Sequence, residues 1–452
     1  TGMHNVLFYL MVREAAACQM SIMKACERWW TQARAGREGL VVQLLPTLLM
    51  RSLEEGAAPG DVKRVYAVRS AFELLDFEDE SIDSLKELLL RCVIHPLYVS
   101  RADGRRFLAF LFSLHPTFVD DLHDTIKNQM PSTRRVHAAY GEVYFKAWRN
   151  SEGELTLKIE RGCVQDLMHR GVHASLPAMF AATRQVLAAF INEKRSRGVD
   201  EMLDRLYEPI LWRSLAAANP TVRRNAATAL VDAFPLQNPE AARPVVDASL
   251  QKQFDALGAL LSDPVPNVRV VAVHGVCKVL GVFWELIPAA TAHALLARLV
   301  GELAHDVRSS AVRAAVFEGL DYVLDCGLSH PMLKPLLPAL APLLHDRSER
   351  VRAAFVALLQ RVSKVRSIRF FDVVHIDHVM ARLAMDADVP AVASPMTELL
   401  LPSYFPQGVG GSEQLKRAVK CLTRYPAAAL VFFRHAHDHT DVAAVAKLGL
   451  ML

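Results

Sequence analysis

The seven cysteines of this 452-residue chain include no Cys-x-x-Cys pair. Their number is odd, so neither a zinc site nor a disulfide framework is indicated, and a reducing, intracellular setting is expected. No apolar run approaches the ~18 residues that a membrane span needs, and Ala427 to Phe433 falls far short. A dominant charge is also missing. The 52 Lys+Arg stand against 48 Asp+Glu, a net charge of +4 that does not by itself argue for nucleic acid. Any basic function has to be local. No phosphate-cradling Gly-x-x-x-x-Gly-Lys-[Ser/Thr] loop occurs; Gly408-Val409-Gly410-Gly411-Ser412 lacks the lysine and a preceding strand, and reads as a turn. The start, Thr1-Gly2-Met3-His4, carries neither an initiator methionine nor a charged segment followed by an apolar one. A piece of a longer protein is therefore expected, and missing targeting signals carry little weight.

What is present is repetition. With 52% hydrophobic residues there is ample apolar surface for a continuous core. Val222-Arg223, Val268-Arg269, Val312-Arg313 and Val351-Arg352 each open the same stripe, with small or apolar residues at offsets 0, 3, 4, 7, 8 and 11 from the valine. Asn225 is its one polar member. Such spacing paints one face of an α-helix. The arginines follow one another at 46, 44 and 39 residues, at or just below the ~40–47 residue HEAT/armadillo period. Another apolar helix precedes each valine, across a turn that carries Asn219-Pro220, Asp263, Asp306 or Asp346, residues suited to capping free N–H groups. The expected fold is all-α, a HEAT-repeat α-solenoid of stacked antiparallel helical hairpins. One hairpin cannot bury its own apolar face, so the units stack into an array with extended surfaces.

The regular repeats are expected over 206–400, degenerate helical repeats over 1–205, and a further, truncated helical repeat over 401–452. In the first region Asp61-Val62-Lys63-Arg64, Arg105-Arg106-Phe107-Leu108 and Arg134-Arg135-Val136-His137 are candidate degenerate versions, and Ser84-Leu85-Lys86-Glu87 reads as a capping box. Near Val392 the arginine is replaced by Ala393, and Ser394-Pro395 predicts a restarted helix.

No catalytic, cofactor-binding or metal-binding residue is indicated. In His435-Ala436-His437-Asp438-His439, a helix brings His435 and His439 to one face and turns His437 away, so two ligands at most converge. The recurring Arg223, Arg269, Arg313 and Arg352, with Asp263 and Asp346, are expected to form a structural ladder inside the stack. Basic residues outside the ladder are the candidate DNA-phosphate contacts: Arg134, Arg135; Lys194, Arg195, Arg197; and Arg361, Lys364, Arg366, Arg369. The competing reading of each cluster is a solvated surface.

Other strings are too particular to belong to a generic repeat. Met202-Leu203-Asp204-Arg205-Leu206-Tyr207-Glu208-Pro209-Ile210-Leu211-Trp212-Arg213, Thr125-Ile126-Lys127-Asn128-Gln129, Gln251-Lys252-Gln253-Phe254, Leu328-Ser329-His330-Pro331 and His437-Asp438-His439-Thr440 resemble the G-type HEAT subunit of vertebrate condensin II. This likeness runs from near residue 30 to the C-terminus. It implies a non-catalytic nuclear, chromosomal subunit that grips the kleisin subunit, contributes to sequence-independent binding of duplex DNA, and acts in mitotic chromosome condensation beside the paired SMC ATPases. No cofactor and no membrane are implied, and no particular contact residue is carried over. From the residues alone three other readings stay open. They are a karyopherin-like carrier, a phosphatase-type scaffold, and a HEAT-like DNA glycosylase using Asp204 or Asp232 near Trp212.

Overall fold

The computed structural model of the chain describes residues 2–13, 16–130 and 134–451, and every regular element among them is a helix. Two compact units, Thr1–Val246 and Asp247–Leu452, are present.

In the second unit the helices Pro266–Val282, Ser310–Asp325, Glu349–Ser363 and Pro390–Tyr404 each pack against the next. A second layer runs beside them through Ala289–Gly301, Leu337–His345 and Ile376–Met385. The first unit repeats the scheme. Pro59–Ala67, Ala102–Leu111, Arg134–Asn150, Pro177–Ile191 and Pro220–Ala233 form one layer, and Arg37–Leu53, Asp83–Ile94 and Pro116–Asn128 lie in the other. The stripe residues lie in the core of these layers: all are buried except Val271 and Ala354, which are half-buried.

Local chemistry sets the helix starts. Asn219 accepts from the Thr221 N–H at 2.8 Å, with Pro220 behind it at a position whose N–H would be free in any case. Asp263 and Asp346 likewise accept from Val265 N and Ser348 N, at 2.8 and 2.7 Å. At Ser84 the sequence expectation is corrected. The helix Asp83–Ile94 starts two residues earlier than a Ser84 cap would set it, because a 3-10 turn over Glu80–Ile82, capped by Asp79, runs straight into it. The restart at Ser394-Pro395 does not occur either. Pro390 opens a helix that continues to Tyr404 with Val392, Met396, Leu399 and Leu400 buried, so the fifth unit keeps the frame. Pro395 stands sixth in this helix, where its ring removes the bond that an N–H would donate to the Ala391 carbonyl. Proline acts more strongly over Leu337–His345. Pro338 stands in the first turn, where an N–H is free in any case, Pro342 removes an interior donor, and the segment winds as a 3-10 helix.

Candidate functional site

The recurring arginines and turn aspartates join into one hydrogen-bonded chain. Arg269 donates from one terminal nitrogen to the Asp263 carbonyl at 2.7 Å and from the other to the Asp306 carboxylate at 2.7 Å. Arg313 donates to the Asp306 carbonyl at 2.8 Å and holds both oxygens of Asp346, at 2.7 and 2.9 Å. Arg352 repeats this with the Asp346 carbonyl at 2.9 Å and both oxygens of Asp386, at 2.8 and 2.9 Å. Each guanidinium thus binds its own turn through the backbone and the following turn through the carboxylate. With Ala393 where the next arginine would stand, Asp386 is held instead by Arg352 and Arg382. Asp386 went unmarked in the sequence although it lies six residues before Val392, the same offset as Asp306 before Val312. In the first unit Arg223 donates to the Ala217 and Ala218 carbonyls at 2.8 and 2.9 Å, where no aspartate stands. Arg105 has the same geometry, donating to the Val99 and Ser100 carbonyls at 3.1 and 3.0 Å and pairing with Glu142.

The candidate phosphate contacts divide sharply. Arg135, Arg195, Arg197, Lys364 and Arg366 are exposed and form no ion pair among the described residues. The side chain of Arg134 lies outside the described residues. Lys194 is removed from the set. Its ammonium donates to the Ala233 carbonyl at 2.6 Å and to that of Pro235, and faces Asp200 at 3.2 Å. Burial holds its pKa below the ordinary lysine value against the opposing pull of Asp200. Arg361 is engaged by Asp321 at 3.1 Å and by Asp325. Arg369 bonds Asp372 and lies 4.9 Å from the centre of the Phe371 ring.

Three clefts line this region of the second unit. One of about 610 Å³ includes Tyr322, Arg361 and Lys364. The next, about 430 Å³, is lined by Lys364, Arg366, Arg369 and Phe371. Phe371 also lines the third, about 660 Å³, with Tyr404, Lys416 and Lys420. Sequence reading passed over Phe371, Lys416 and Lys420. The four-residue spacing of the lysines on an amphipathic helix was the available signal.

Other sequence candidates are absorbed by packing. Both carboxylate oxygens of Asp232 are held by Arg184, at 2.6 and 2.9 Å. The helix carrying His435 ends at that residue, so His439 does not share a helical face with it. His439 faces Ser394 at 2.8 Å and His435 faces Asp438 at 3.1 Å. Among the described residues no group of three or more metal-ligating side chains occurs.

Similarity to known proteins follows this architecture. Residues 91–238 match the family described as condensin II non structural maintenance of chromosomes subunit. Condensin-2 complex subunit G2 of Xenopus laevis is 39% identical over 96% of the chain, and that of Homo sapiens 38% identical over 98%. The chain spans 38% and 39% of the length of these two curated relatives. Among solved structures the karyopherin Kap121p, in its complex with the SUMO protease Ulp1p, aligns with a TM-score of 0.52 at 16% identity. That alignment covers 96% of this chain and 44% of Kap121p, and shows the shared HEAT-solenoid fold alone. By its likeness to subunit G2 across nearly all its length, the chain belongs to the family of that non-SMC subunit of condensin II.

Proposed function

We propose that this chain is part of a non-catalytic, chromosomal subunit of condensin II that binds the kleisin subunit and contributes phosphate contacts to duplex DNA during mitotic chromosome condensation. The carrying observation is the subunit G2 likeness over nearly the whole chain. Its DNA part is supported by Lys364 and Arg366, and by Arg135, Arg195 and Arg197, exposed cations left without an ion pair among the described residues. A stacked solenoid projects no single helix for insertion into the major groove, so the binding proposed is to the backbone and independent of sequence. Each phosphate neutralised adds about 0.9 to the slope of log K against log salt. The test is a salt titration of duplex binding with and without a kleisin C-terminal fragment, comparing K364E/R366E, R195E/R197E and R135E. A true contact pair weakens binding and flattens the slope by nearly 2. Unchanged affinity and slope in all three would remove DNA from the proposal, and failure of the chain to retain the kleisin fragment would remove that partner. K194E serves as a contrast, because its effect should fall on folding and not on the salt slope.

A further inference from the structure

The about 660 Å³ cleft of the second unit combines two chemistries that a DNA-phosphate surface does not need together. One wall is the helix Gly411–Arg424, which presents Lys416 and Lys420 one turn apart, exposed and without an ion pair among the described residues. Its other cations are already balanced: Arg417 by Glu413 at 2.8 Å, and Arg424 by Asp377 at 2.9 Å. The remaining lining includes Phe371, 48% exposed, with Ile376 and Tyr404.

We propose that this cleft docks an extended acidic peptide in which acidic and large apolar side chains alternate. The spacing supports it. Lysines at i and i+4 on a helix stand about 5–6 Å apart, and same-side residues of an extended chain about 6.6 Å apart, so glutamates at i and i+2 face both ammonium groups. The intervening apolar side chains then point away from the lysine wall, toward the aromatic lining. The volume lies within the range of about 300–1,000 Å³ usual for drug-sized ligands, room for a few peptide side chains, and a duplex, far wider, would ride over the rim and leave Phe371 uncovered. A single strand stacking its bases is disfavoured for another reason. The Arg369 guanidinium already lies over the Phe371 ring. The proposal stands apart from the DNA reading, since its cations are Lys416 and Lys420 and not Lys364 and Arg366.

The probe is a fluorescein-labelled nonapeptide of alternating glutamate and leucine with a central tryptophan, titrated against the 452-residue chain by fluorescence anisotropy. K416E/K420E and Phe371→Ala should each weaken binding at least about tenfold, as losses at an anchor do. K416Q/K420Q should weaken it less than the reversal, and K364E/R366E less than about threefold. Replacing the leucines and tryptophan by alanine should abolish the peptide's advantage over a glutamate-only control. Circular dichroism of each variant confirms that the helices persist, and Phe371→Leu gives a second variant should alanine unfold the cleft. Three results would overturn the inference: equal binding of the alanine peptide, no effect of either cleft variant, or a twelve-nucleotide thymidine strand that binds more tightly and displaces the peptide.

Discussion

Removing the Asp346 carboxylate tests whether the arginine–aspartate chain holds neighbouring repeats together. The Asp346 side chain is 7% exposed and that of its partner Arg313 15%, so water replaces little of what is lost. Asp346→Ala deletes two charge-assisted bonds from Arg313 and the cap on Ser348 N. Breaking a buried pair from one side costs about 3–5 kcal/mol. Arg313 keeps the Asp306 carbonyl, which puts the loss near about 3 kcal/mol, with the cap contributing about 1 of it. Repeat arrays open in parts, so the assay is native-state hydrogen exchange in Ser310–Asp325 and Glu349–Ser363. About 3 kcal/mol corresponds to exchange roughly 100-fold faster. The double variant R313M/D346A should lose less than the sum of the single losses, by about 1.5 kcal/mol or more, because the stranded charge is gone. Exchange within about threefold of wild type, or an additive double variant, would refute the reasoning. The pH dependence has a definite sign. Burial pushes the Asp346 carboxyl up, but bonds from Arg313 and Ser348 outweigh it and leave the pKa below the ordinary value. The stabilisation is therefore present above the usual carboxylate range and lost as pH falls through it, and Asp346→Ala should be the less acid-sensitive protein.

Other outcomes follow from packing and charge elsewhere. A Cβ at Gly281 would stand 2.4 Å from the Tyr322 carbonyl, so Gly281→Ala should destabilise by about 1–3 kcal/mol despite the gain of about 1 in helix propensity; a more stable variant would deny the close helix contact. Phe355 is fully buried, its ring 5.0 Å from that of Phe317, and Phe355→Ala should cost about 3–5 kcal/mol, read by hydrogen exchange in its own helix. Asp166 is held at a pKa of about 2, first by its bond from buried His123 and against burial, with Lys127 adding attraction. Against an ordinary value near about 3.9, this favours the fold above about pH 4 and is lost between about pH 4 and 2. Asp166 is 41% exposed, so the contribution is small, and Asp166→Asn should flatten the acid limb without removing it. Superimposable urea unfolding midpoints from pH 5 to 3 would count against this pair.

The sequence by itself determined the helical repeat, because a period of 3.6 residues and an interval near ~40 are written in which residues are apolar. Val312, Ala315, Val316, Gly319, Leu320 and Val323 fall on one buried face whatever else the chain does. It also marked most of the ladder, since Arg and turn Asp recur in frame. Tertiary structure decided the rest. Lys194 and Arg195 are neighbours with the same charge in the sequence, yet one ammonium is enclosed by the Ala233 and Pro235 carbonyls and the other side chain is exposed. Arg361 likewise meets Asp321 and Asp325 only because a helix some forty residues upstream packs beside its own. Phe371, Lys416 and Lys420 come from separate segments, and no local pattern says that they line one cleft. Periodicity is a property of a segment and survives in one dimension, whereas the pairing of charges and the meeting of cleft walls depend on which segments stack, which only the packed chain specifies.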